Sequence, residues 1–235
     1  MSSKVTPQRW VLFDLDGTLL DPFEGIVGCY REALADLGIP ARPDEDLAWV
    51  IGPPIRKAFE DIFENSVRPH SPTETRFAWV EKAVASYRKF YADHGMFQNK
   101  HYPGITEALA TLSKTSVLLV ATSKPQIYAQ KIIEHFGFSP YLKAVYGPEL
   151  TGERSEKPEL LAHIQACEGL DPKRTVMIGD RKFDVIGARA IGAKAISVAW
   201  GYGTPEELRE ASADRILEEP SELVNAIDEL VSLIA

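Results

Sequence analysis

The feature that most constrains this chain is an apolar run, Trp10–Phe13, that is followed at once by two aspartates, Asp14 and Asp16. Such a run is typical of a strand in a parallel sheet, where both faces of the strand are covered. Two carboxylates at the end of a buried strand are costly unless a cation or hydrogen bonds stabilise them. In open α/β sheets, ligands bind just beyond the carboxyl ends of the strands. We therefore expect Asp14 and Asp16 to bind a metal ion and to take part in chemistry.

Further strand candidates alternate with helical patterns in the second half of the chain. They are residues 117–121, 144–146, 175–179, 194–200 and 215–217. Repeated strand–helix units of this length favour a doubly wound, mainly parallel sheet. The sequence therefore predicts an α/β fold with a Rossmann-like core.

A block without any strand pattern interrupts this alternation directly after the first strand. The expected elements are, in order, helices over 22–37 and 44–50, a helix whose first turn is fixed by Pro53 and Pro54 and that continues to about residue 63, a loop over 65–72 and a helix over 73–94. Asp21 is expected to cap the first of these helices, with Pro22 at its first position. We expect residues 1–20 and 98–235 to form the core, and residues 21–97 to form an all-helical cap domain that closes over the first strand as a lid.

The composition limits the class of protein. The formal net charge of −8 argues against binding to a nucleic-acid polymer or to an anionic membrane. The two cysteines, Cys29 and Cys167, lack ligand spacing, so neither a zinc site nor a disulfide framework is indicated. The polar start of the chain is unlike a signal peptide, and no apolar run approaches the length of a membrane span. We therefore expect a cytoplasmic protein.

Polar residues with related chemistry stand at the ends of four strand candidates. They are Asp14 and Asp16, Thr122 and Ser123, Lys157, and Asp180 and Asp184. Carboxylate oxygens are hard ligands that suit Mg²⁺, so Asp14, Asp16 and Asp180 are expected to converge on one ion. Lys157 would neutralise negative charge that develops on a phosphate, and Thr122 would donate its hydroxyl to a phosphate oxygen.

These residues resemble the four motifs of the haloacid dehalogenase-like phosphohydrolase superfamily. The matching segments are Asp14–Thr18, Thr122 after an apolar strand, Lys157 before Pro158, and Gly179–Asp184. They occur in the family's order, so the resemblance covers essentially the whole chain. A helical insertion directly after the first motif is similar to the branch of phosphoglycolate phosphatase and β-phosphoglucomutase. The resemblance implies a magnesium-dependent phosphatase that acts on a small phosphorylated metabolite, most similar to phosphoglycolate phosphatases or 5′-nucleotidases.

The resemblance also implies a role for each matching residue. Asp14 would be the nucleophile that forms an aspartyl-phosphate, and Asp16 would be the general acid and then the general base. Thr122 and Lys157 would contact the transferred phosphoryl group. The magnesium ligands would be the carboxylate of Asp14, the backbone carbonyl of Asp16, the carboxylate of Asp180 and, in an outer position or through water, Asp184. The further substrate-binding candidates are Gly17, Thr18, Ser123 (where many family members have asparagine) and, in the cap, Arg56.

Some of these residues also have an ordinary structural explanation. An aspartate in the first turn of a helix, such as Asp184, stabilises the helix through its dipole. Arg56 and Lys57 are equally typical of a solvated helix face. Trp200–Gly203 is most simply the end of a strand and a turn, with a role near the cleft as the alternative. The histidines His70, His94 and His101 lack partners at ligand spacing and are interpreted as surface or local structure.

Other functions use the same four motifs. A β-phosphoglucomutase-like enzyme would pass the phosphoryl group to a sugar instead of water, and a 5′-nucleotidase would differ only in the leaving group. A domain that binds a phosphorylated partner without catalysis is a third alternative. Loss of a motif residue would favour that alternative, and none is lost.

Overall fold

The computed structural model describes residues 8–39, 44–64 and 73–232 of the chain. The chain forms two compact units, one made of Met1–Leu19 with His101–Ala235 and the other of Leu20–Lys100. The loop expected over 65–72 lies outside the described residues. The closure of residues 21–97 over the first strand stays a prediction.

Most strands of the described residues form a single parallel sheet. The strands are β1 (Trp10–Phe13), β2 (Leu20–Asp21), β3 (Lys100–His101), β4 (Val117–Ala121), β5 (Ala144–Tyr146), β6 (Thr175–Gly179), β7 (Lys194–Val198) and β8 (Arg215–Leu217). Six of them lie in the order β5-β4-β1-β6-β7-β8, and β2 pairs with β3. The predicted doubly wound α/β fold is therefore confirmed. The β2–β3 pair was not expected, because two residues are too few to give a periodic signal.

The first strand lies in the middle of the sheet because it is apolar throughout, and all four of its residues are buried. Phe13 at its end is aligned with Val120 of β4 and with Ile178 of β6. Three neighbouring parallel strands therefore end at nearly the same level. The residues that follow them meet at one edge of the sheet.

Helices connect the strands of the first unit and form the body of the second. They are α1 (Phe23–Asp36), α2 (Ile55–Ile62), α3 (Thr73–Asp93), α4 (Ile105–Leu112), α5 (Gln126–His135), α6 (Lys157–Glu168), α7 (Lys182–Ala190), α8 (Pro205–Ala211) and α9 (Leu223–Ser232). On one face of the sheet, Leu12, Leu119 and Met177 pack in a buried cluster with Leu161 of α6 and Val185 of α7. Full burial of each such side chain contributes about 1.5–3 kcal/mol, so this cluster fixes α6 and α7 against the sheet. Within the described ranges, no helix combines the length and the apolar character needed to cross a bilayer.

Apart from β2 and the first residue of β3 at its two ends, the described residues of the second unit form helices and loops, as the sequence predicts. Its core holds the rings of Tyr30 on α1, Phe59 on α2 and Tyr87 on α3, with the Tyr30 ring centre 4.6 Å from that of Phe59 and 4.8 Å from that of Tyr87. Each helix therefore contributes an aromatic side chain to one cluster. Such ring contacts add about 0.5–1.5 kcal/mol per pair to the burial of apolar area.

The predicted start of α1 was wrong by one residue. The helix begins at Phe23, and Pro22, expected as its first residue, is the capping residue instead. The carboxylate of Asp21 accepts a hydrogen bond of 3.0 Å from the N–H of Phe23, the ordinary contact by which an aspartate caps the start of a helix. Asp21 therefore satisfies an N–H of the first helical turn, as expected, although the helix begins one residue later than predicted.

Candidate active site

The carboxyl ends of three neighbouring strands bring three of the sequence motifs together. Asp14 follows β1, Thr122 follows β4 and Asp180 follows β6. The N–H of Asp14 donates to the carbonyl of Ile178 at 2.8 Å, so strand pairing continues up to the first motif residue. The backbone is therefore rigid at the point from which the carboxylates project.

Three carboxylates form a buried acidic cluster at this edge. Asp14, Asp180 and Asp184 each offer one oxygen, and these oxygens lie within 4.8 Å of one another. At most 6% of the surface of any of the three residues is exposed. Like charges this close and this well buried repel strongly, so the cluster requires positive charge nearby.

Lys157 at the start of α6 supplies part of that charge. Its Nζ lies 2.7 Å from Oδ1 of Asp184 and 3.3 Å from Oδ1 of Asp14. It also donates a hydrogen bond of 2.8 Å to the carbonyl of Ala121, at the end of β4. One lysine among three carboxylates leaves the cluster negative, and a divalent cation would complement it.

The pKa values of these groups reflect their burial and the excess of negative charge in the cluster. Burial, followed by the charges of Asp14 and Asp184, raises the pKa of Asp180 well above its usual range. Burial raises the pKa of Asp184 to about 6, although Lys157 opposes the shift. Burial alone would lower the pKa of Lys157, but the neighbouring carboxylates raise it overall, so the lysine stays charged.

The donor set fits Mg²⁺. This ion is bound in proteins through a few carboxylate oxygens and keeps several water ligands. Oδ1 of Asp180 is buried and has no hydrogen-bond partner among the described residues, while Oδ2 accepts a hydrogen bond of 2.7 Å from the N–H of Tyr202. An oriented carboxylate with a buried, unpartnered oxygen is what a metal ligand requires. The roles predicted for Asp14, Asp180, Asp184 and the carbonyl of Asp16 as ligands stay predictions.

The carboxylate of Asp16 does not join this cluster. Its Oδ2 lies 2.9 Å from Nζ of Lys124, a buried lysine that the sequence reasoning did not single out. Burial raises the pKa of Asp16, and the charge of Lys124 opposes that rise. The sequence places Lys124 two residues after Thr122, which could have indicated a position near the site. A lysine in a loop is more often solvated, so this position alone did not predict the contact.

The turn formed by Trp200–Gly203 contacts the first motif and Asp180. The indole N–H of Trp200 donates to the carbonyl of Thr18 at 3.1 Å, which ties this turn to the first motif. A Cβ on Gly201 would lie 2.3 Å from Cβ of Asp180 and 2.4 Å from the carbonyl oxygen of Gly17. The turn therefore packs directly on the backbone that holds the acidic cluster. The sequence allowed a role near the cleft for Trp200–Gly203 but could not show this contact, because residues far apart in the chain make it.

The smaller predicted phosphate-binding residues lie at the same edge. Gly17 has a φ of +78°, and a Cβ there would lie 2.2 Å from Oδ2 of Asp180, so only glycine fits. The hydroxyl of Thr18 is buried and lacks a hydrogen-bond partner within the described ranges. Oγ1 of Thr122 accepts a hydrogen bond of 3.2 Å from the N–H of Lys124 and keeps its own proton to donate. Ser123, which stands between Thr122 and Lys124 in the sequence, is half-buried.

Asp184 makes the helix-capping contact that its ordinary structural explanation expects, and its carboxylate also belongs to the acidic cluster. Its Oδ2 accepts a hydrogen bond of 3.2 Å from the N–H of Arg181, which caps the start of α7. Its Oδ1 faces Lys157 in the acidic cluster. The guanidinium of Arg181 is in turn 2.9 Å from Glu207 of α8, which holds the loop between Asp180 and α7 in place.

The basic pair of the second unit makes local contacts. Arg56 forms an ion pair with Glu81, and Nζ of Lys57 lies 2.6 Å from Oδ1 of Asp61. Both cations are exposed, as the solvated-face interpretation expects. A contact between Arg56 and substrate stays a prediction.

His94 is exposed, as its interpretation as a surface residue expects, and the fold gives it a partner on another helix. Its Nε2 lies 3.0 Å from Oε2 of Glu32, and both groups lie close to the buried thiol of Cys29. The sequence could not show this, because α1 and the residues after α3 meet only in the folded unit.

Comparison with known proteins gives a consistent result. The family model described as "Haloacid dehalogenase-like hydrolase" matches residues 11–198. A 5′-nucleotidase of Pseudomonas aeruginosa is 42% identical over 200 residues, which are 85% of this chain and 86% of that protein. Tyrosine-protein kinase PtkA of Mycobacterium tuberculosis is 38% identical over 90% of this chain and 69% of its own length. A phosphoglycolate phosphatase of Neisseria gonorrhoeae is 28% identical over 98% of this chain and 94% of its own length.

A solved structure supports the same fold. The crystal structure of a predicted phosphatase from Clostridium acetobutylicum superposes with a TM-score of 0.86 and is 34% identical, covering 95% of this chain and 100% of that one. The match extends over both compact units of the chain.

Proposed function

Because the chain belongs to the haloacid dehalogenase-like hydrolase family, we propose that it is a magnesium-dependent phosphatase of a small phosphomonoester that works through an aspartyl-phosphate on Asp14. The observation that carries this proposal is the buried cluster of Asp14, Asp180 and Asp184 with Lys157 at the carboxyl ends of β1, β4 and β6. The family assignment supports a hydrolase of phosphoric monoesters. The aspartyl-phosphate and the metal requirement are the parts that need a test.

The chemistry needs two half-reactions. In the first, an oxygen of Asp14 bonds to phosphorus while the bond to the leaving oxygen breaks and Asp16 gives that oxygen a proton. In the second, a water oxygen bonds to phosphorus, Asp16 takes a proton from the water, and the bond to Asp14 breaks to release phosphate. Bound Mg²⁺ would supply positive charge next to the phosphoryl oxygens.

The chain's own groups are arranged for these steps. Oδ1 of Asp14 is held by the N–H of Leu15 at 2.8 Å and faces Lys157, so the carboxylate has a fixed orientation. The charge of Lys157 opposes the negative charge that gathers on the phosphoryl group. The hydroxyl of Thr122 and the backbone at Gly17 offer donors at the same edge of the sheet.

The substrate is proposed from the relatives. Identity to the P. aeruginosa 5′-nucleotidase, at 42%, is higher than identity to the N. gonorrhoeae phosphoglycolate phosphatase, at 28%. We therefore propose nucleoside 5′-monophosphates as the substrate class to test beside phosphoglycolate, which the resemblance of the motifs first indicated. Phosphoryl transfer to a sugar, as in a β-phosphoglucomutase, predicts isomerised sugar phosphate in place of inorganic phosphate.

The test is a phosphate-release assay over nucleoside monophosphates, phosphoglycolate and sugar phosphates, with Mg²⁺ and after chelation. We expect release that depends on Mg²⁺, and loss of turnover by more than about 10³-fold in Asp14→Asn, because the covalent step then has no nucleophile. Asp93→Asn, at an exposed position on α3, is the matched control and should keep full activity. Turnover that survives chelation, or that Asp14→Asn retains, contradicts the proposal.

A further inference from the structure

Lys124 is a buried lysine next to the proposed acid–base residue, outside the four motifs. Its Nζ lies 2.9 Å from Oδ2 of Asp16, and only 5% of the Lys124 side chain and 13% of the Asp16 side chain are exposed. Burying an ammonium group is costly unless a counter-charge and hydrogen bonds compensate it. A buried ion pair with this desolvation cost is therefore expected to have a role besides packing.

The two oxygens of Asp16 have different surroundings. Oδ2 faces Lys124, whereas Oδ1 is buried and has no hydrogen-bond partner within the part of the chain that the structure describes. A carboxylate that is anchored through one oxygen cannot rotate freely. The other oxygen then keeps a fixed direction and stays available for an exchangeable proton.

The backbone of Lys124 is also held in place. Its N–H donates to Oγ1 of Thr122 at 3.2 Å. A Cβ on Gly147 would lie 2.3 Å from the carbonyl oxygen of Lys124, so the two backbone segments are in direct contact. The lysine therefore projects from a rigid loop at the end of β4, the loop that also carries the predicted phosphate contact Thr122.

Resting on the phosphatase mechanism above, we propose that Lys124 is a positioning residue that holds Oδ2 of Asp16 and so presents Oδ1 for proton transfer. In the first half-reaction the proton on Oδ1 passes to the leaving oxygen as that oxygen separates from phosphorus and Asp14 bonds to phosphorus. In the second, Oδ1 takes a proton from the attacking water as the bond to Asp14 breaks. Lys124 keeps its protons throughout and acts through its contact with Oδ2.

The test uses leaving groups that differ in their need for a proton. An alkyl monophosphate needs general acid help, whereas a nitrophenyl phosphate releases a stable anion and does not. Single-turnover rates are measured with both for the wild type, Lys124→Met and Lys124→Arg. Lys131→Met, at an exposed position on α5, is the matched control.

We expect Lys124→Met to lower the single-turnover rate with the alkyl phosphate about 10²-fold, while the burst of nitrophenolate changes less than about 10-fold. KM and inhibition by inorganic phosphate should stay unchanged. Lys124→Arg keeps a cationic donor and should recover part of the loss. Lys131→Met should behave as the wild type with both substrates.

Other results overturn the inference. Equal losses with both leaving groups would assign Lys124 a structural role, and weaker inhibition by inorganic phosphate would make it a phosphate ligand instead. If thermal unfolding shows that Lys124→Met does not fold, the double variant with Asp16→Asn removes both charges, and its alkyl phosphate rate should equal that of Asp16→Asn alone. A further loss in the double variant contradicts the inference. Failure of the wild type to release phosphate from either substrate would instead refute the proposed function.

Discussion

Replacing Gly201 by alanine tests whether the Trp200–Gly203 turn supports the acidic cluster. The added Cβ would lie 2.3 Å from Cβ of Asp180 and 2.4 Å from the carbonyl oxygen of Gly17. These distances are more than about 1 Å shorter than ordinary carbon contacts, and the neighbouring atoms belong to the backbone or are attached directly to it. The turn, Asp180 or the first motif must therefore move by about that amount.

Such a shift affects stability and activity to different degrees. Overpacking a tight site costs about 1–3 kcal/mol, which for a chain of this size lowers the unfolding temperature by roughly 2–12 °C. A displacement of about 1 Å at reacting groups costs about 10²-fold in rate. We expect Gly201→Ala to show both effects, and to lose most of the stabilisation by Mg²⁺, because Asp180 is displaced.

The assay combines thermal unfolding, with and without Mg²⁺, with kcat for phosphate release. Gly28→Ala on α1 is the matched control, since nothing lies within 4 Å of a Cβ at that glycine. It should keep its activity and gain up to about 1 kcal/mol from the better helix propensity of alanine. The reasoning is refuted if Gly201→Ala keeps its wild-type rate and its stabilisation by Mg²⁺.

Two further outcomes follow from the charges of the cluster. Lys157→Met should lower kcat by about 10²–10³-fold, as measured by phosphate release, because a buried cation beside the phosphoryl group is lost. A rate for Lys157→Met that equals the rate of the exposed-lysine control Lys131→Met would contradict this role. For the pH dependence, burial raises the pKa of Asp184 from 3.8 to about 6 in the folded protein. The buried charge of Asp184 therefore destabilises the folded protein above that pH, and this cost is relieved as the folded protein takes up a proton below it. Metal binding competes with that proton, so Mg²⁺ should raise the unfolding temperature more at about pH 8 than at about pH 5, and an equal rise at both would show that Asp184 does not take part.

Features that rest on local patterns could be predicted from the sequence. The run Trp10–Phe13 indicates a buried strand because of its apolar side chains, and Asp14 follows it at the point where a parallel strand must end. The alternation of strands and helices then fixes which loops share an edge. Asp180 could be placed near Asp14 on that basis, whereas the placement of Lys157 depended on Pro158 and on its order among the motifs.

Features that rest on long-range contacts could not be predicted in this way. Lys124 looks like a solvated loop residue until the fold places Asp16 against it at 2.9 Å. Trp200 and Gly201 contact the first motif, which is far from them in the sequence, and the residues next to them in the sequence do not indicate this contact.

The central place of β1 in the sheet has a consequence for synthesis of the protein. This strand is made first, yet its two neighbours β4 and β6 begin at Val117 and Thr175. At about 5–20 residues per second, the ribosome needs roughly 8–30 s to pass from β1 to the end of β6. During that interval a fully apolar strand has at least one unpaired edge, which is the kind of segment that aggregates or recruits chaperones. The contiguous helical unit can fold in the meantime, so the carboxylates that meet at the sheet edge come together among the last parts of the molecule to form.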